Sequence, residues 1–204
     1  MSEVVHSELL EISKLASNRL LDIIHNNGVI LLEPDLNANL FDFLARTVIG
    51  QQLSAKAART IWGRVESLSR PSEQNLSHLF TETFECDVKA CGVSRNKYRA
   101  ISGLRDAMES KQLSTDRLLS SSYEEVKEVI TSLWGFGNWS ADMTAIFFCG
   151  QQDVYPSTDV AIVQGLSKIT DQKKSPEELA FLYKPYRSYL CRHIWLATDN
   201  GYLE

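Results

Sequence analysis

The stretch Leu133-Trp134-Gly135-Phe136-Gly137-Asn138-Trp139 has the make-up of a tight turn between two helices. Its two glycines let the backbone turn sharply and let another molecule come close. The N–H groups of such a turn, and of the helix that follows, have no intrahelical partner. With the helix dipole behind them they can bind a phosphate without a lysine. An ordinary connection between helices looks the same, so the turn alone does not decide. Asp159 follows Pro156-Ser157-Thr158 at the start of an apolar segment. There the dipole favours its ionised form. It is either a fixed anion aimed at a ligand or a plain helix-start aspartate. Trp139 and Trp195 are rigid rings that could stack on a planar ligand or anchor a core. Gln52, beside Gly50, could reach outward or satisfy loop backbone groups. Asp142 and Asp153 are expected to be solvated.

Helical periodicity dominates and strand alternation is scarce, so the expected fold is all-α. Residues 7–27 read as one helix, with Leu9, Ile12, Ala16, Leu20 and Ile23 on one face and Gly28 as its stop. Residues 39–49 and 54–68 form the next two, with Ser54 as a cap. Residues 97–110 follow. Residues 122–133 open with Ser122-Tyr123-Glu124-Glu125, a capping-box pattern. An apolar helix runs from about Trp139 to Cys149. Ser175-Pro176-Glu177-Glu178 starts another, with proline at its first position. Pro185 opens the last, which groups Tyr186, Tyr189, Leu190, His193, Ile194 and Ala197. The count comes to roughly eight to ten helices.

These elements fit in 204 residues as one domain or two associated lobes. With 44% hydrophobic and 23% charged residues, disorder is not expected. Lys and Arg total 21 against 26 Asp and Glu, a net charge of −5. That excludes a polycationic surface, so nucleic-acid binding would need a local basic face. Lys56, Arg59, Arg64, Arg95, Lys97 and Arg99 could supply one. The four cysteines and four histidines show no metal-site spacing. The acidic, amphipathic start is unlike an export signal, and no apolar run could span a bilayer. An intracellular protein with free thiols is the expectation.

Four segments, taken together and in order, resemble the helix-hairpin-helix DNA glycosylases. They are Ile49-Gly50-Gln51-Gln52-Leu53-Ser54-Ala55-Lys56-Ala57-Ala58, then Gly92-Val93-Ser94-Arg95-Asn96-Lys97, then the Gly135–Gly137 turn through Asp159, and finally Pro185-Tyr186-Arg187-Ser188 with His193-Ile194-Trp195. The likeness is greatest to the alkyl-purine branch, the 3-methyladenine DNA glycosylase II type. It implies a two-lobed helical fold with the active cleft between the lobes. One lobe would be residues 40–150, with the hairpin at about 123–149. The other would be 1–39 with 151–204. It implies Asp159 as the catalytic carboxylate and Trp139, Trp195 and Met143 as the base pocket. Met143 departs from the branch pattern, which has a tyrosine there. Gln52 stands at the position of the wedge that enters the base stack. Gly135, Gly137, Asn138, Ser54, Lys56 and Lys97 would contact DNA.

Relatives that also cut the strand carry a lysine at the position of Trp139, which attacks the sugar as an amine. Tryptophan cannot. The resemblance therefore implies a monofunctional glycosylase that flips out alkylated purines, 3-methyladenine and 7-methylguanine, hydrolyses the N-glycosidic bond and leaves an abasic site. It implies no cofactor beyond a monovalent cation at the hairpin carbonyls, double-stranded damaged DNA as partner, and action as a monomer. Two alternatives stand beside it: a catalytically weak protein that binds lesions or abasic sites, and a glycosylase for oxidised or mismatched bases. A helical interaction module, the third, would show no DNA affinity even at low salt.

Overall fold

The computed structural model describes residues 2–69, 75–170 and 174–203. Among the described residues there are twelve α-helices and no strand. They form two compact units. One is Met1–Pro34 with Ala145–Glu204, and the other is Asp35–Thr144.

The discontinuous unit holds α1 (Ser2–Ala16), α2 (Asn18–Asn27), α10 (Val160–Ile169), α11 (Pro176–Phe181) and α12 (Arg187–Asp199). The single helix expected over 7–27 is in fact two. Ser17 leaves the helix with extended backbone, and its hydroxyl accepts the Leu20 N–H at 3.4 Å. A serine oxygen there satisfies one orphan donor, which is enough to start a new helix. Helix α12 is this unit's centre and packs on α2, α10 and α11. Its Leu190, Cys191, Ile194 and Ala197 are fully buried, against Leu20 and Ile24 of α2 and Ile162 and Leu166 of α10. Pro185 does not open α12, which begins at Arg187. Asp153 receives Arg187 there, with Nε–Oδ1 at 2.6 Å and Nη2–Oδ2 at 3.0 Å. That bidentate pair replaces the solvated role expected of Asp153.

The continuous unit holds α3 (Leu40–Gly50), α4 (Ala55–Glu66), α5 (Glu85–Ala90), α6 (Arg95–Glu109), α7 (Thr115–Ser120), α8 (Tyr123–Ser132) and α9 (Asn138–Met143). Helix α3 is central and packs on α4, α6 and α9. Its Phe41, Leu44, Ala45, Val48 and Ile49 are buried along one face. Local chemistry sets the helix starts. Ser54 caps α4, Ser94 caps α6, and Ser122 with Glu125 closes a reciprocal capping box on α8. Asp142, expected to be solvated, is buried at 4% exposure and accepts the Tyr123 hydroxyl at 2.6 Å. The apolar helix expected over 139–149 is α9 followed by a π-helical turn, Thr144–Phe148. Short α5 and α7 have too few turns to show periodicity, and the sequence reading omits both.

Candidate active site

In the continuous unit, the chain leaves α3 through a tight loop. Gln51 has φ −52° and ψ 129°, Gln52 has φ 59°, and the Leu53 N–H donates to the Gly50 carbonyl at 3.1 Å. This is a type II turn with Gln52 at the position that normally takes glycine. A side chain in the left-handed region costs about 1–2 kcal/mol. Gln52 is exposed, and so is Leu53 beside it.

Two side chains hold this loop from below. The Lys97 ammonium donates to the carbonyls of Ile49 and Gln51, each at 2.8 Å. Burial lowers the Lys97 pKa from the usual lysine value. Its ammonium thus supports the loop from within the protein, a role beyond the DNA contact expected of it. The Gln51 amide donates to the Gly135 carbonyl and to the Ser140 hydroxyl, each at 3.1 Å. The loop and the hairpin turn are thereby tied together. Lys56, Arg59, Arg64, Arg95 and Arg99 are exposed.

The hairpin turn joins α8 to α9. Gly135 has φ 88°, and a Cβ there would lie 2.6 Å from Ala100 Cβ on α6. Both its backbone angle and its packing demand glycine. Leu133 and Phe136 are buried and pin the turn, while Gly135, Gly137 and Asn138 face solvent. Gly137 starts α9 with no side-chain cap, unlike the serine-capped α4, α6 and α8. Backbone donors at such an uncapped start suit an anion. Exposed Trp134 carries the Arg99 guanidinium at 4.3 Å from its ring centroid, a cation–π pair the sequence does not reveal. Trp139 is half-buried and Met143 is buried.

In the discontinuous unit, Asp159 is the N-cap of α10 and is 8% exposed. Its Oδ1 accepts the Ile162 N–H at 2.9 Å and the Trp195 Nε1–H at 3.2 Å. The two residues expected in catalysis and the base pocket are therefore in direct contact across 36 positions. The Trp195 ring sits 5.3 Å from that of Phe147, tilted by 38°. The Arg192 guanidinium lies 5.0 Å from the Phe147 ring centroid, and burial lowers its pKa. Phe147 and Arg192 are additions to the expected set. Arg192 stands one helical turn before Trp195, a spacing that puts both on one face. Phe147 has no sequence signal, because it stands in an apolar run, residues 145–148, where it looks like its neighbours.

No His, Cys, Asp and Glu cluster among the described residues could hold a metal ion, and all four cysteines are free thiols. No helix among them is long and apolar enough to cross a membrane.

No family model matches the chain. Among curated proteins, it is 28% identical over 165 residues to DNA-3-methyladenine glycosylase 1 of Schizosaccharomyces pombe, covering 76% of this chain and 71% of that one. It is 27% identical over 168 residues to a Mycobacterium tuberculosis protein described as a bifunctional transcriptional activator and DNA repair enzyme, covering 78% of this chain but only 34% of that one. The solved S. pombe 3-methyladenine DNA glycosylase bound to abasic DNA superposes with a TM-score of 0.80 at 21% identity, covering 94% and 97% of the two chains. A Bacillus halodurans DNA-3-methyladenine glycosidase superposes at 0.73 with 28% identity, covering 91% and 86%. The all-helical fold, the glycine hairpin, the helix-start aspartate touching a tryptophan and these likenesses agree: the chain is similar in sequence and fold to DNA-3-methyladenine glycosylases of the helix-hairpin-helix type.

Proposed function

We propose that the protein is a monofunctional base-excision-repair glycosylase for alkylated purines, chiefly 3-methyladenine and 7-methylguanine. The observation that carries this reading is Asp159, a carboxylate fixed by two N–H donors beside an aromatic face. An alkylated purine bears a positive charge. When its bond to C1′ breaks, the bonding pair goes to the base, which leaves neutral. The sugar is left as an oxocarbenium ion. A preorganised anion stabilises that charge as it forms. Water adds to C1′, loses its proton, and an abasic site remains. Trp195, backed by Phe147, gives the cationic base a face to stack on. Gln52 fills the gap left in the duplex, while the hairpin backbone and the exposed arginines hold phosphates. Trp139 offers no amine, so the strand is left intact.

The reading places the protein with the genome inside the cell, acting as a monomer. A monovalent cation at the hairpin would share the Leu133 carbonyl with the Phe136 N–H and the Gly135 carbonyl with the Gln51 side-chain amide.

The test is release of bases from methylated duplex DNA, with Asp159→Asn as comparison. Asparagine can keep both accepted hydrogen bonds while removing the charge. Excision is expected to fall by about 100- to 1,000-fold, as for loss of one preorganised electrostatic contact. Full activity in the variant would overturn the mechanism. No release by the wild type, with tight binding to abasic DNA, would instead favour the lesion-binding reading.

A further inference from the structure

We propose that Lys97 is a positioning residue for the wedge: its ammonium fixes the Gln51–Gln52 peptide in the orientation that thrusts Gln52 outward. The proposal rests on the reading of Gln52 as the residue that enters the base stack.

The argument begins with the turn. Type I and type II turns share their first and last residues and differ mainly by a flip of the central peptide. That peptide is Gln51–Gln52. In the type II form the carbonyl of Gln51 is turned to the opposite side, and the residue after it must take a positive φ. Glycine is preferred there, because a Cβ crowds that carbonyl. Gln52 accepts this strain at φ 59°. Left alone, a glutamine at this position would favour the flipped alternative, which would redirect its side chain.

Lys97 opposes the flip. Its ammonium donates to the Gln51 carbonyl at 2.8 Å and anchors on the Ile49 carbonyl at 2.8 Å. Flipping the central peptide would turn the Gln51 carbonyl away and leave a half-buried ammonium short of an acceptor. A charge-assisted hydrogen bond is about twice as strong as a neutral one, so losing the Gln51 acceptor disfavours the flip. Lys97 itself is well placed to hold firm. It is the third residue of α6, and its own N–H is taken by the Ser94 cap. Gln51 adds a second restraint through Gly135 and Ser140. The backbone strain at Gln52 thus persists because its surroundings over-determine it, as strained residues at working sites do.

The role is one of aim, so it must act through Gln52. The experiment is a double-mutant cycle on single-turnover excision of 7-methylguanine from duplex DNA, using wild type, Lys97→Met, Gln52→Ala and the double variant. Methionine keeps the length of the stem and removes the donors. Lys97→Met is expected to slow excision about tenfold in the wild-type background, a coupling typical of residues in one hydrogen-bonded network. In the Gln52→Ala background the same change should cost less than about twofold. An equal loss in both backgrounds would overturn the proposal, because a general structural defect takes its toll with or without the wedge. No loss in either would overturn it as well. Far-UV circular dichroism and abasic-DNA binding check that each variant folds. Should Lys97→Met fail to fold, Lys97→Arg is run through the same cycle, and any loss it shows must vanish with Gln52→Ala. A wild-type chain that excises nothing from this duplex would overturn the glycosylase reading and this proposal with it.

Discussion

Replacing Gln52 by glycine should make the protein more stable and less active. Gln52 sits exposed at φ 59°. Its left-handed backbone costs about 1–2 kcal/mol relative to an allowed conformation. Glycine removes that cost but brings a more disordered unfolded chain, worth about 0.4–1 kcal/mol against folding. The net gain is about 0–1.6 kcal/mol, centred on about 0.8. For a chain of this size the central value raises Tm by roughly 2–3 °C. Gln52→Ala is the control, since alanine keeps the strain and loses the amide. It should leave stability within about 0.5 kcal/mol of wild type. Both variants should lose excision of a paired alkylated base by a similar factor, since both lack the side chain. The assay pairs thermal melting followed at the helix signal with single-turnover base release. A lower Tm for Gln52→Gly than for Gln52→Ala would refute the strain argument. Undiminished excision by Gln52→Gly would refute the wedge.

Gly135→Ala must meet both a φ of 88° and a Cβ contact of 2.6 Å with Ala100. It should lose about 2–4 kcal/mol and lower Tm by at least about 4 °C, and Ala100→Gly should recover only the steric share. Tyr123→Phe removes the donor to buried Asp142; an expected loss of about 1.5–3 kcal/mol in urea unfolding measures that bond. His193 is held near a pKa of about 3, first by burial and then by the charges of His6 and Arg192. Its Nδ1 faces the Asn27 amide, a donor, at 3.3 Å, as suits a neutral ring. The unfolded chain takes up this proton near pH 6.5 and the folded chain does not. Stability should therefore be full above pH 6.5 and fall toward pH 3, with about 2 kcal/mol lost by pH 5. Melting at pH 7 and pH 5 should show a smaller difference in His193→Gln than in wild type; equal differences would sink the assignment.

What the sequence disclosed was governed by short range. The caps at Ser54, Ser122 and Ser175 are each made within three residues, so they are visible as spacing. The break at Ser17 is equally local, yet apolar periodicity runs through it and conceals it. Asp142 and Asp153 look solvated in the sequence because their partners, Tyr123 and Arg187, lie 19 and 34 positions away. The loop-holding contacts of Lys97 are hidden for the same reason: the carbonyls it serves lie 48 and 46 positions earlier. The turn at Gln52 could not be foreseen, since its type calls for glycine and the sequence offers glutamine. Asp159 and Trp195 were named through family likeness. Their contact is a fact of folding that no local pattern encodes.

Asp159 starts α10, and under the proposed function the same carboxylate also faces the chemistry. This has a genetic consequence. Aspartate and asparagine codons differ by a single base, and asparagine starts helices as well as aspartate does. If that role holds, a single-base change to asparagine would remove activity while leaving the helix start intact. Such an allele would yield a stable protein that still finds lesions and occupies them. A simple deletion leaves damaged sites open to other repair, whereas this variant would shield them. Cells carrying it beside a normal copy should be more sensitive to alkylation than cells lacking one copy.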